Sequence, residues 1–583
     1  MTKLCHASIK WIASLLIVLS ISTSHVIAVE IKNGNLHGSI DTTVSYGHLY
    51  RVQNRASNLT GIANGGSARS VNADDGNINY NSGLVSNTAK FTTELDLSYK
   101  SSGIFIRGFG FSDAKADDTV RTTLSADAER LVKKNVVLRD AYFWQEFELA
   151  NMPGELRLGE QVLSWGESTF IQNGINTINP VDVSSLRTPG AELREALVPV
   201  GMVHGSLGLT DNLSVEAYYQ YDWEQTVIDP TGSYFSTNDF AGDGGTFLVG
   251  VGAGTIIDYT GCPAACTPQA VDARIATRAG NLEPGNGGEY GAALRFYVPE
   301  LNDTEFGFYH IKYHSRLPII NALATLTPGT LTGAQYQLSY PEDIKLYGMS
   351  FNTQLGSTGI ALQGEYSFRE DVPLQIDDIE LLVAALRAGI PNQISNTAFG
   401  AGDFIQGHIE RNVSQFQMTA TKIFGQVLKA DQAVLLGEWA ITHIHNMPGK
   451  STLLLDAPGT YTTGNPNNIA NLTAGGHVLE DAGNFADSTS WGYRVVGRLE
   501  YNNALFGSVN LQPRFAWQHD VSGITPGPGE NFVEDRKILS VGVRAIYQNQ
   551  WEADLAYTSY LGSNRHHLLH DRDFTAFSVK YSF

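Results

Sequence analysis

Residues Phe574–Phe583 read FTAFSVKYSF. Phe577, Val579, Tyr581 and Phe583 fall on one face, and Ala576, Ser578, Lys580 and Ser582 on the other. This is the period-2 alternation of a strand with one apolar side. Such a strand also closes soluble β-domains, so its setting decides.

Working outward, the same alternation recurs along the chain. Ile40, Thr42, Val44 and Tyr46 alternate with polar residues, as do Phe91, Thr93, Leu95, Leu97 and Tyr99. Comparable runs cover 344–351, 361–368, 413–423, 433–441, 509–517, 538–547 and 551–557. One run, Ile104–Phe111, is ambiguous in phase, because Arg107 sits among Phe105, Phe109 and Phe111.

The connections separate a soluble sandwich from a membrane barrel. Short ones fall near 101–103, 151–154, 209–212, 299–303, 356–359, 425–431, 502–504 and 549–550. Long ones cover roughly 53–87, 114–135, 163–197, 225–288, 315–342, 371–407, 445–490, 519–534 and 561–573. Short turns on one side and long loops on the other are the layout of an outer-membrane barrel, whose strand number is even. The reading is an all-β fold: a transmembrane antiparallel barrel of about 18 strands (16–18), with residues 163–197 inserted into the lumen. Unpaired backbone groups are very costly in lipid, so the last strand must pair with the first, near Gly38–Tyr50. Phe577, Val579, Tyr581 and Phe583 also resemble the terminal signal read by the barrel-assembly machinery.

The N-terminus fits an exported chain. Lys3 and Lys10 precede the apolar run 11–21, and Val26-Ile27-Ala28 is an acceptable cleavage site. Residues 1–28 read as a signal peptide and 29–583 as one barrel domain. The 583-residue chain carries a formal charge of −20, and the leader holds two lysines and no acid, so the mature protein is more acidic still. That argues against nucleic-acid binding. Mean hydropathy is −0.13, and after residue 28 no apolar run approaches the roughly 20 residues of a spanning helix. Cys262 and Cys266, in GCPAACTP, suit a local disulfide in an oxidising compartment and supply too few ligands for a metal.

Chemistry motifs are sparse. There is no GxSxG, phosphate-binding loop or dinucleotide fingerprint. His443/His445 and His566/His567 read as solvated pairs. No enzyme activity, metal or cofactor is expected. Two long loops carry apolar material, 245–257 and 374–386; Ile376, Ile379, Val383 and Leu386 have helical spacing. They read as a cap over the barrel, compatible with a landing site for hydrophobic ligands.

The stretch 156–200 interrupts the strand pattern. Asn173, Asn176, Asn179, Pro180, Pro189 and Gly190 break regular structure, while Trp165, Phe170, Ile175, Ile178 and Leu186 alternate with charges. Such a segment packs on more than one side. LGEQVLSWGES, NGINTINPVD, LRTPGAELREAL and LGLTDNLSVEAYYQ resemble the hallmark run of the Gram-negative outer-membrane family catalogued as domain of unknown function 1302. The close match spans roughly 156–220, and the remainder agrees in layout. The resemblance implies an outer-membrane β-barrel with no settled activity, distantly similar in layout to long-chain fatty acid and hydrocarbon uptake barrels.

The resulting expectation is a channel or transporter of the bacterial outer membrane for hydrophobic or amphipathic small molecules, gated by the inserted segment. The alternatives are a general or solute-selective porin, and a non-transport barrel such as an adhesin or a partner of a periplasmic lipid carrier. Expected surroundings are outer-membrane lipid and lipopolysaccharide. Expected lumen residues are Glu160, Trp165, Glu167, Phe170, Asn173, Asn176, Asp182, Arg187, Glu192 and Arg194. Of these, Arg187 and Arg194 would pair with Glu160, Glu167, Asp182 and Glu192 to hold the segment against the wall.

Overall fold

The computed structural model describes residues 29–250, 252, 254–256, 273–395, 397–473, 476–562 and 564–583. The expected signal peptide and the expected Cys262–Cys266 disulfide lie outside these residues. Eighteen antiparallel strands close into a barrel. They are β1 Leu36–Arg51, β2 Gly83–Tyr99, β3 Ser102–Asp113, β4 Lys134–Leu149, β5 Met152–Gln161, β6 Val200–Thr210, β7 Leu213–Gln220, β8 Glu289–Val298 and β9 Thr304–Tyr313. The circuit continues with β10 Ile344–Gln354, β11 Ile360–Gln375, β12 His408–Phe424, β13 Gln432–Ile444, β14 Thr489–Leu505, β15 Val509–Ser522, β16 Lys537–Tyr547, β17 Trp551–Leu561 and β18 Phe574–Ser582. Each strand pairs with its chain neighbour, and β18 closes on β1 with Thr43 opposite Ser582 and Arg51 opposite Phe574.

At the seam, β18 covers only the second half of β1. The strand Val29–Asn33 pairs with the first half, from Leu36 to Ile40. Between them, Thr42 and Phe583 exchange two backbone hydrogen bonds of 2.7 and 2.9 Å. Every ladder position on β1 is thus paired, as lipid demands.

The outer face bears the apolar residues of each strand. Val44, Phe91, Leu158, Leu294, Phe308, Met349, Val541 and Phe577 are all exposed, the face a barrel presents to lipid. Aromatic residues gather at both rims. Tyr99, Phe147, Phe296 and Trp551 lie beside short turns, and Tyr50, Tyr219, Tyr290 and Tyr347 beside long loops.

β3 resolves in phase against its neighbour β2. Arg107 lies opposite Glu94, Phe109 opposite Thr92 and Phe111 opposite Lys90, so all three face the lumen together with Phe105. The rings are not lipid-facing because the lumen supplies their partners. Arg107 lies over Phe105, Arg139 over Phe109, and Phe109 stacks on Phe111 at 5.8 Å. A bulge between Arg139 and Asp140, opposite Arg107, turns both side chains inward.

The long loops build a roof. Phe404–Ile405, Ile319–Leu323, Gln335–Ser339, Ile275–Arg278 and Phe247–Val249 pair in that order as a second sheet. The helix Asp378–Leu386 lies against it, with Leu381, Ala384 and Ala385 on Ala322, Ala324 and Ile405. Leu248 and Leu382 share a second cluster with Leu331 and Tyr336. The two apolar loop stretches therefore meet as a cap. His566 and His567 are buried within the loop after β17, not solvated. Burial pushes His567 down to about 3.

Candidate functional site: a segment laid across the lumen

The chain leaves the wall after Gln161 and returns at Val200. Between these points it runs inside the barrel and carries the largest apolar cluster of the lumen. Leu163, Trp165, Ile175 and Ile178 pack on the inward residues Met202, Tyr218, Ala293, Tyr309, Ile311 and Leu346. Trp165 is 1% exposed, stands edge-on to Tyr218 at 5.2 Å, and donates its indole N–H to Glu216 Oε2 at 2.9 Å. It anchors the insert rather than lining a path.

Two wall carboxylates hold the first half of the insert by its backbone. Glu365 Oε2 accepts the amides of Glu167 and Ser168 at 2.5 and 3.2 Å; its Oε1 accepts Ile175 N–H at 2.8 Å and Gln417 Nε2 at 2.7 Å. Glu438 Oε1 accepts Thr169 N–H at 2.8 Å, while its Oε2 accepts Phe170 and Ile171 N–H at 2.7 and 2.8 Å. Both side chains are almost fully buried. Four donors on the two oxygens of Glu365 occupy the capacity of an ionised carboxylate, and they offset part of its desolvation. The sequence allows this approach through Gly166 and Gly174: a Cβ on either would run into the Glu365 carboxylate.

The second half is held by ion pairs on the opposite side. Lys90 meets Glu195 at 2.5 Å, Lys580 meets Glu192 at 2.8 Å, and Arg194 bridges Glu94 and Glu192 at 2.8 and 2.7 Å. Asp182 caps the short helix Val183–Leu186 through Ser185 and pairs with Arg139 at 3.0 Å. Between the two halves, β14 to β17 make no hydrogen bond or ion pair with the insert among the described residues. Their inward side carries Arg494, Arg498, Arg514 and Arg544 with Asp520, Glu552 and Asp554. Arg498 is exposed to the lumen directly opposite Arg514.

The sequence-derived residues distribute as follows. Glu167, Asp182, Glu192 and Arg194 are all in the lumen and bonded to the wall, Glu167 through Asn352 at 3.2 Å. Arg187 pairs instead with Asp229 of the roof at 3.1 Å and lies over the Phe235 ring. Asn173 bonds Asn531 of another loop at 3.0 Å, and Asn176 bonds Ser164 within the insert. Glu160 is a correction: it lies opposite Ala141 and Gly201, in the outward phase of Leu156 and Leu158, and so points away from the lumen. Sequence reading missed Glu365, Glu438, Lys90, Glu195 and Lys580. Glu365, Glu438, Lys90 and Lys580 are marked only by their place on polar strand faces, and Glu195 lies in the short helix Leu193–Ala196 of the insert; nothing local names their partners.

Above the insert, below the roof, lies a chamber of about 920 Å³, within the range of small-molecule sites. Its floor presents Phe170, Leu186 and Leu193, which are 45%, 39% and 64% exposed. Its wall holds Val372, Leu374 and Arg369. Arg369 sits at a bulge of β11, is 6% exposed, and its guanidinium has no acceptor among the described residues.

Fold and site together define a membrane β-barrel with a segment laid across its lumen. The family described as Protein of unknown function (DUF1302) matches residues 10–583, and the chain belongs to it. No curated protein matches. Among solved structures, OccAB3 of Acinetobacter baumannii is 10% identical, covering 94% of this chain and 99% of its own at a TM-score of 0.40. A BenF-like porin from Pseudomonas fluorescens Pf-5 is 9% identical, with coverages of 94% and 98% and a TM-score of 0.40. Pseudomonas aeruginosa OccK2 (OpdF) in complex with glucuronate is 10% identical, with coverages of 94% and 97% and a TM-score of 0.37.

Proposed function

We propose that the protein is an outer-membrane channel for small amphipathic organic anions, which dwell in the chamber and pass beside the pinned insert. The observation that carries this reading is Arg369. A buried guanidinium without an acceptor is costly, and here it borders Val372 and Leu374 and shares the chamber with exposed Phe170, Leu186 and Leu193. A solute with one carboxylate and an apolar body matches that lining. An 18-stranded barrel is wide enough for an aqueous path, and the absence of insert hydrogen bonds to the β14–β17 wall among the described residues supports placing it there. In the outer-membrane layout the short turns face the periplasm and the roof faces outward.

A second reading, a general polar channel, is favoured by the charged residues of the β14–β17 wall. Liposomes carrying the purified barrel distinguish the two. Under the first reading, medium-chain carboxylates enter faster than neutral sugars of similar size, and Arg369→Gln removes the preference while leaving sugar entry unchanged. Equal entry of both solute classes in the wild type sinks the first reading.

A further inference from the structure

The roof contains a group of carboxylates that no interaction described so far explains. Asp377, Asp378 and Asp456 each offer an oxygen, and these lie within 4.8 Å of one another. A Cβ placed on Gly527 would sit 2.9 Å from a Glu530 oxygen and 3.6 Å from an Asp456 oxygen, so Glu530 borders the same group. None of the four has an ion-pair partner among the described residues. They come from three loops: 376–407, 445–488 and 523–536.

Asp377 supplies the independent observation. It is fully buried, and both its carboxylate oxygens lack a hydrogen-bond donor. It precedes the helix Asp378–Leu386, yet its side chain makes no cap hydrogen bond, the ordinary role of Asp there. Three residues on, Glu380 is buried just as deeply and is satisfied by Gln393 N–H at 2.6 Å and Asn468 Nδ2 at 2.8 Å. The surrounding loop segments thus supply donors to Glu380 and none to Asp377. Asp378, Asp456 and Glu530 line the chamber, which gives an ion and its waters a way in.

We propose that Asp377, Asp378 and Asp456, with Glu530 at their edge, form a divalent-cation site of the calcium class that ties three loops into the roof. All donors are carboxylate oxygens, with no sulfur or imidazole, which selects a hard cation over zinc. Oxygens about 2.3–2.6 Å from a shared calcium ion can be as far apart as these are. Irregular donors from three loops suit flexible calcium coordination better than the octahedron magnesium requires. The bound ion replaces mutual repulsion with a cross-link, so the roof is firm when it is loaded and loose when it is stripped.

The test uses the full-length barrel in detergent, stripped with EDTA and titrated with CaCl₂ by calorimetry, with MgCl₂ in a separate titration. The expected result is one saturable calcium site. Asp456→Asn should weaken it at least about tenfold, as loss of a charged ligand does in calcium loops, and Asp377→Asn should do the same. Barrel folding of each variant is verified by heat-modifiable gel mobility. Calcium should slow trypsin cleavage within 376–407 in the wild type and not in Asp456→Asn. The proposal is overturned by no saturable calcium binding up to about 10 mM, well above the range of extracellular calcium modules. Equal binding by the wild type and both folded variants overturns it too, as does tighter binding of magnesium than calcium.

Discussion

Glu438→Gln isolates what holds the insert, because it changes one carboxylate without touching the barrel ladder. Glu438 receives three amides, two on Oε2 and one on Oε1. The amide of Gln can present its single oxygen to Phe170 and Ile171, but its NH₂ then faces the Thr169 N–H. One part-buried donor is left unsatisfied, costing at most about 1–3 kcal/mol, and the other two bonds lose their charge assistance, which roughly doubles bond strength. Together these weaken docking of the insert by about 2–4 kcal/mol, or roughly 30- to 1,000-fold in the docked-to-undocked ratio. The assay is single-channel recording in planar bilayers. The variant should show frequent excursions to a larger conductance that the wild type visits rarely, and Glu365→Gln/Glu438→Gln should stay there longer. Step sizes and dwell times indistinguishable from wild type in the double variant, at normal barrel folding, would refute the idea that these carboxylates pin the insert.

Further outcomes follow from the same geometry. Gly174→Val should mimic loss of Glu365, because its side chain displaces the carboxylate; unchanged conductance would contradict this. Arg194→Ala should loosen the second half of the insert more than Arg187→Ala, since Arg194 binds the wall and Arg187 the roof; protease accessibility of residues 182–197 in the two variants ranks them. The loop after β17 should open in acid. His567 is neutral when folded, so the unfolded loop takes up the proton first, and stability falls as pH drops below about 6.5, with the loss complete only near the folded value of about 3. His567→Phe should flatten that pH dependence in hydrogen exchange of 562–573, and an unchanged profile would remove His567 as its cause.

The barrel was legible because lipid enforces simple rules: period 2, paired edges, and turns that alternate short and long. Eight short turns and nine long loops give the strands that the structure shows. The same rules fail wherever the lumen acts as a core. Phe105, Phe109 and Phe111 broke the phase of β3 because they face the lumen, where Arg107 and Arg139 lie over two of the rings. Glu160 was misplaced because its neighbours in sequence enter the lumen one residue later; the strand persists to Gln161 and its phase sends Glu160 outward. The insert itself was visible as a break in the pattern. Its anchors were not, because Glu365 lies 198 residues beyond the Glu167 amide it holds and Glu438 lies 268 beyond that of Phe170, and backbone donors leave no mark in sequence. Asp377 and Asp456 are likewise ordinary loop acids until folding brings them together.

Residues 162–199 lie inside the barrel, their first half against the wall formed by β11 and β13. Ile171 and Ala440 share one buried cluster with Phe532, so Ile171→Cys/Ala440→Cys, in a Cys262→Ser/Cys266→Ser background, tests it in native membranes. The account predicts near-complete oxidative cross-linking, seen as a reducible link between the two fragments after cleavage of the intervening loops, together with suppression of the larger conductance. Two free thiols that react with a membrane-impermeant maleimide from outside would place the segment elsewhere and contradict the account.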